Sequence, residues 1–125
     1  MKKTLIGFAV AVLLAAGTLT ATAATSNKTT TSGSCYNGAT WTLTLTRSGS
    51  KVAAAFTIAG MPKQIWNINW AWTPTNRVYN QQVKPDSKGR FTVKDSTTSS
   101  APVTAFVLVD EPWAYTQTCI AGATI

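Results

Sequence analysis

Alternation with a period of two runs through most of this chain and decides its fold class. In Thr40-Trp41-Thr42-Leu43-Thr44-Leu45-Thr46 the indole and both leucines fall on one side and the threonines on the other. That is the pattern of a half-buried strand whose outer surface meets water. After a turn at Arg47-Ser48-Gly49-Ser50-Lys51, residues Val52, Ala54, Phe56 and Ile58 resume the same spacing, which predicts a hairpin. Gly60-Met61-Pro62 interrupts the pattern. From Gln64 to Thr73, Trp66, Ile68, Trp70 and Trp72 then share one parity, and Asn67, Asn69 and Ala71 the other. Pro74 ends that run because it cannot donate to a ladder.

Tyr79, Gln81 and Val83 suggest a weaker strand at an edge. Pro85-Asp86-Ser87-Lys88-Gly89 reads as a turn, followed by Phe91 and Val93 pointing inward. Pro102 to Val109 is apolar on both parities, as a central strand would be. A last strand is expected from about Trp113 to Ile120. About seven short strands with a turn roughly every ten residues, and no amphipathic helix, predict an all-β antiparallel two-sheet sandwich. Short antiparallel links leave no room for the crossover helices of a doubly wound α/β fold.

The first 23 residues read differently. Lys2 and Lys3 precede an apolar run from Leu5 to Ala16, and Ala21-Thr22-Ala23 supplies an A-x-A cleavage site. This is the layout of a secretory signal peptide, and the run is too short to span a bilayer comfortably. Export to the periplasm or the exterior is expected, with no membrane insertion after cleavage. Residues 24–34 are polar and nearly devoid of apolar side chains, so they are expected to form a flexible Ser/Thr-rich segment. Residues 35–125 are expected to form the single β-sandwich domain.

Cys35 and Cys119 are the only cysteines. In an oxidising compartment two cysteines have an obvious use, and a pair allows one intramolecular connectivity. Closing so long a loop stabilises the fold by about 4 kcal/mol on the chain-entropy model. The bridge also implies that the first and last strands lie side by side.

Composition excludes much chemistry. Histidine is absent, and the acids are Asp86, Asp95, Asp110 and Glu111. His-based triads, His or Cys₄ zinc sites and His-ligated haem are ruled out. Asp110 and Glu111 are adjacent, so on a strand they would point apart rather than face each other across a glycosidic bond. No catalytic residue, metal ligand or cofactor is expected, and a non-enzymatic protein follows. Beyond residue 23 there are nine basic residues against four acids, a net charge of +5. This biases encounters toward anionic surfaces.

Turn chemistry carries a resemblance. Phe56-Thr57-Ile58-Ala59-Gly60-Met61-Pro62, then Trp66-Asn67-Ile68-Asn69-Trp70, then Pro85-Asp86-Ser87-Lys88-Gly89-Arg90-Phe91-Thr92-Val93, resembles the immunoglobulin-like and fibronectin type III-like domains of secreted bacterial proteins. It covers roughly half of the chain after the leader. The resemblance implies adhesion, spacing or ligand presentation, and it transfers no catalytic residue. Cys35 lies too far ahead of Trp66 to be the usual inter-sheet cysteine, so the bridge belongs elsewhere in the sandwich.

Two surfaces emerge as candidates. Trp66 and Trp70 alternate in phase with Ile68 and are expected in the core, with Asn67 and Asn69 facing away. Trp113 and Tyr115 share parity after a charged turn. With Trp72, Asn76, Tyr79 and Gln81 they would make an aromatic–amide surface suited to a carbohydrate or a peptide. The plainer reading is that the Trp113 and Tyr115 rings cap the open end of the sandwich, and exposure separates the two readings. Arg77, Lys84, Lys88 and Arg90 would hold an anionic polymer if they converge on one hairpin, in salt-dependent fashion. Edge cations that discourage strand pairing are the plainer use of those residues. The functional expectation is an exported binding or adhesion module for cell-surface carbohydrate or wall polymer, with no specific nucleic acid. The alternative is a structural or protein-interaction subunit (coat, matrix or inhibitor) with a protein partner and no sugar ligand.

Overall fold

A computed structural model describes residues 27–113 and 117–125. The chain forms β1 (Lys28–Ser34), β2 (Thr40–Ser48), β3 (Lys51–Ala59), β4 (Trp66–Thr73), β5 (Val78–Val83), β6 (Phe91–Thr98), β7 (Thr104–Asp110) and β8 (Gln117–Thr124). They build two four-stranded sheets, ordered β1-β2-β3-β6 and β5-β4-β7-β8. All pairings are antiparallel. The all-β sandwich expected from the alternation is the observed architecture.

The inward parity is the one read from the sequence. Trp41, Leu43 and Leu45 of β2 meet Val52, Ala54, Phe56 and Ile58 of β3, and Trp66, Ile68, Trp70 and Trp72 of β4 face them with Val107 and Val109 of β7. Burying each large apolar side chain contributes roughly 1.5–3 kcal/mol. The Trp70 and Trp72 rings lie nearly parallel, centroids 6.3 Å apart, and Phe56 sits between Trp41 and Phe91 at 6.1 and 6.5 Å. Trp41 spreads its ring across Gly33 on the neighbouring strand. A Cβ at Gly33 would stand 2.7 Å from the ring, so only glycine fits beneath it.

Two expectations are corrected. Residues 28–34 are not a flexible segment: they form β1, pairing with β2 from Lys28↔Thr46 to Ser34↔Thr40. An edge strand needs little apolar area of its own when a ladder supplies its hydrogen bonds. Here Thr29 and Thr31 turn inward as small β-branched packing residues, and Thr31 Oγ1 donates to the Gly122 carbonyl at 2.8 Å. This makes eight strands rather than seven. The last strand is also displaced, running Gln117–Thr124 instead of from Trp113. Cys119, Ala121 and Ala123 supply its buried parity, after a register shift between Val109 and Asp110. The expected signal peptide and residues 24–26 lie outside the described residues.

Both sides of the sandwich are fastened. On one, Cys35 and Cys119 form the expected disulfide, with Cα atoms 4.5 Å apart. It joins the residue after β1 to β8, so the first and last strands do lie together, but as edges of opposite sheets. On the other side Asp95 of β6 accepts the Trp72 indole N–H at 2.9 Å and two N–H groups of Arg77, the shorter at 2.6 Å.

Every connection from an odd strand to the next even one lies at one end of the sandwich, which we call the loop end. The β2–β3, β4–β5 and β6–β7 connections lie at the opposite end, the turn end. This polarity positions everything that follows.

Candidate ligand-binding face

The sheet β5-β4-β7-β8 shows solvent a surface that cross-strand register lays out in rows. Gln82, Asn67 and Asp110 make one row, Asn80, Asn69, Leu108 and Ile120 the next, and Val78, Ala71, Phe106 and Gly122 the third. This is the parity of β4 opposite its buried indoles, so burying Trp66, Ile68, Trp70 and Trp72 forces the asparagines outward.

The amides form a partly pre-ordered network. Gln82 Nε2 donates to Asn67 Oδ1 at 3.1 Å, and Asn69 Nδ2 to Asp110 Oδ1 at 3.4 Å. Asn67, Asn69, Asn80, Gln81 and Gln82 line an open depression of about 270 Å³. Farther along the same face, on β7 and β8, Phe106 is 41% exposed and Ile120 is also exposed. The Phe106 ring lies over Gly122, whose missing Cβ would be 3.5 Å from it. A carboxylate, neutral amides and a neighbouring apolar strip together offer acceptors, donors and a flat hydrophobic contact.

The residues singled out beforehand are placed differently. Trp72 is 1% exposed and stacks on Trp70, with its N–H held by Asp95, so it is not available to a ligand. Its parity turns the ring toward the opposite sheet, where Asp95 of β6 takes the indole N–H, so even a strand-end position leaves it inside. Gln81 has the core-side parity and its Oε1 accepts the Trp70 indole N–H at 3.1 Å, although the residue also lines the depression. Tyr79 is exposed at the β5 edge under the Arg77 guanidinium, 5.4 Å from its ring centre. Asn76 occupies the β4–β5 turn with φ 60°, a left-handed conformation that asparagine tolerates.

Trp113 is 64% exposed but belongs to the loop end, whereas Trp72, Asn76 and Tyr79 sit toward the turn end. Trp72 stands five residue steps along β4 from Asn67, the partner of Asp110, about 17 Å. The aromatic–amide surface therefore does not assemble. Tyr115 lies outside the described residues.

The four cations do not converge either. Arg77 precedes β5 and Lys84 follows it, placing them about 20 Å apart along the strand. Arg77 is bound to Asp95, whose hydrogen bonds and charge raise its pKa further above the ordinary guanidinium value. Lys84, Lys88 and Arg90 share the β5–β6 connection. There Asp86 accepts the backbone N–H groups of Arg90 at 2.9 Å and Lys88 at 2.8 Å, which hold its carboxyl below the usual aspartate range.

Sequence reasoning missed Asn80, Gln82, Asp110 and Phe106 as members of one face. The signal was present in part, since Asn67 and Asn69 already alternate against the indoles. What alternation within a strand does not supply is which strands lie side by side. Comparison with protein families, curated proteins and solved structures finds no match to this chain.

Proposed function

We propose that this protein is an exported, non-enzymatic binding or adhesion module that takes a neutral surface carbohydrate on the outer face of β5-β4-β7-β8. The observation that carries this reading is the amide-lined depression on the face that also bears the exposed Phe106. Asn67, Asn69, Asn80 and Asp110 offer both donors and acceptors to vicinal hydroxyls, and the exposed ring suits the C–H face of a sugar. Amides and one carboxylate favour a neutral ligand over an anionic wall polymer at this face. Export is supported by the signal-like leader and by a disulfide, which is compatible with an oxidising compartment. The immunoglobulin-like reading is supported by the pairing of β3 with β6 and of β4 with β7, which cross between hairpins as strands do in such sandwiches.

Titration of neutral oligosaccharides against isotope-labelled protein tests the reading. Chemical-shift changes should cluster on β4, β5 and β7, persist at high salt, and weaken at least tenfold in the Asn69→Ala/Asn80→Ala double variant. Millimolar oligosaccharides that leave those strands unmoved, or a double variant that binds like the parent, would overturn it.

A further inference from the structure

The loop end bears an arrangement that the carbohydrate reading does not use. Tyr36, in the β1–β2 connection, is 83% exposed; Ile65, in β3–β4, is 43% exposed; Trp113, after β7, is exposed as already described. Three bulky apolar side chains thus protrude from three separate connections at one end. Lys63, Lys84 and Lys88 are exposed at the same end, and none makes an ion pair among the described residues.

These connections are tied to one another. Asn37 Nδ2 donates to Met61 Sδ at 3.4 Å, joining β1–β2 to β3–β4. The Met61 N–H donates to the Gly89 carbonyl at 3.0 Å, joining β3–β4 to β5–β6. Gln64 Nε2 donates to Glu111 Oε2 at 3.2 Å, joining β3–β4 to the segment bearing Trp113. The Tyr36 N–H donates to the Thr118 carbonyl at 2.9 Å, one residue from the disulfide. Gly89, at φ 73°, packs so closely on Met61 that a Cβ would stand 2.7 Å from its carbonyl oxygen. The end is therefore held in shape before anything binds, and its rings stay exposed because the loops are braced from below.

We infer that the loop end is a peripheral docking face for an anionic lipid bilayer, with Tyr36, Ile65 and Trp113 entering the headgroup layer and Lys63, Lys84 and Lys88 meeting the phosphates. Amphipathic rings settle at the membrane–water boundary, and lysines near an anionic leaflet add attraction there. Side chains protruding from separate loops suit a soft surface, and unpaired lysines around them select a negative one. A soluble polyanion would engage the lysines but has no use for an exposed indole, tyrosine and isoleucine beside them. The contact is interfacial and differs from a membrane span; among the described residues no helix is long and apolar enough to cross.

Trp113 provides a local readout, because Trp41, Trp66, Trp70 and Trp72 are all buried and the leader contains no tryptophan. The full chain is mixed with vesicles of phosphatidylcholine and phosphatidylglycerol at three to one, with and without brominated acyl chains, and with phosphatidylcholine alone. On the anionic vesicles Trp113 emission should shift to the blue and be quenched by bromolipid, and Trp113→Phe should abolish that change. Lys63→Gln/Lys84→Gln/Lys88→Gln should reduce the partitioning read by Trp113 about 100-fold, given the usual attraction per lysine. Unchanged circular dichroism would show that the variants are folded. Trp113 emission indifferent to bromolipid would overturn the proposal, as would a triple variant that binds equally. Retention on a soluble polyanion without vesicle binding would assign the lysines to an acidic polymer and overturn it too.

Discussion

At the turn end of the sandwich both arginines are committed to the fold. Arg47 of β2 donates to the carbonyls of Ser99 and Ala101, strapping the β6–β7 connection down, and Arg77 holds Asp95 across the two sheets. At the loop end the brace is different. A disulfide, backbone bonds and amide side chains, one of which reaches the Glu111 carboxylate, join the connections, while Lys63, Lys84 and Lys88 make no ion pair among the described residues. Arg90 approaches Asp86 at 3.7 Å, the one ion pair at this end among the described residues, and the Lys88 charge also acts on that carboxylate. The contrast shows how a basic protein divides its charge. Guanidinium groups, with several donors in a fixed fork, are used where carbonyls and carboxylates must be held, and lysines stand where a charge is to be presented.

The sharpest way to break this contrast is to cut the covalent brace. Cys35→Ser with Cys119→Ser should cost about 3–4 kcal/mol in urea unfolding. Native-state hydrogen exchange should accelerate most around Tyr36 and Thr118 and least around Arg47. Equal loosening at both ends would show that the two braces are not separate devices.

A smaller loss is expected from the ionic seam. Asp95→Ala leaves the buried Trp72 indole without its acceptor and should cost about 2 kcal/mol by the same measurement. Asp95→Asn can still accept the indole N–H while losing the ion pair, so it should fall between parent and alanine. An asparagine variant as weak as the alanine one would mean that the charge, rather than the indole bond, holds the seam.

The smallest effect is a pH dependence confined to the loop end. The Asp86 carboxyl is held below its unfolded value by the Arg90 and Lys88 amides. The stability it contributes is therefore present above the unfolded carboxyl's titration range and is lost as pH falls through the lower folded value. Parent and Asp86→Ala should differ slightly in thermal midpoint near neutrality, the parent being higher, and converge in strong acid. A difference that grows on acidification would reverse the assigned sign.

Much of the fold was legible because one half of each strand is forced inward. Trp41, Leu43 and Leu45, or Trp66, Ile68 and Trp70, announce their faces by parity alone, and a lone cysteine pair announces its bond. β1 was not legible, since Thr29 and Thr31 are buried by a ladder and a neighbouring sheet rather than by their own hydrophobicity. The site was less legible than the fold. Closeness in sequence grouped Arg77 with Lys84, Lys88 and Arg90, and aromatic character grouped Trp72 and Tyr79 with Trp113, whereas the folded strands place the members of each set at opposite ends. The row Gln82–Asn67–Asp110 comes from three segments that only the sheet order brings together. Trp72 illustrates the limit: its parity was plain, but the acceptor for its indole N–H comes from Asp95 of β6, in the facing sheet and more than twenty residues later.

Asn27 and Ile125 both stand at the turn end, the first against Arg47 and the second paired with Val103. A tether fixed at either flank of the sandwich would therefore hold the molecule by its stem, with Tyr36 and Trp113 at the head. Fluorophores, affinity handles or immobilising linkers attached there leave the opposite pole unobstructed, so surface-captured protein would meet its environment in one orientation.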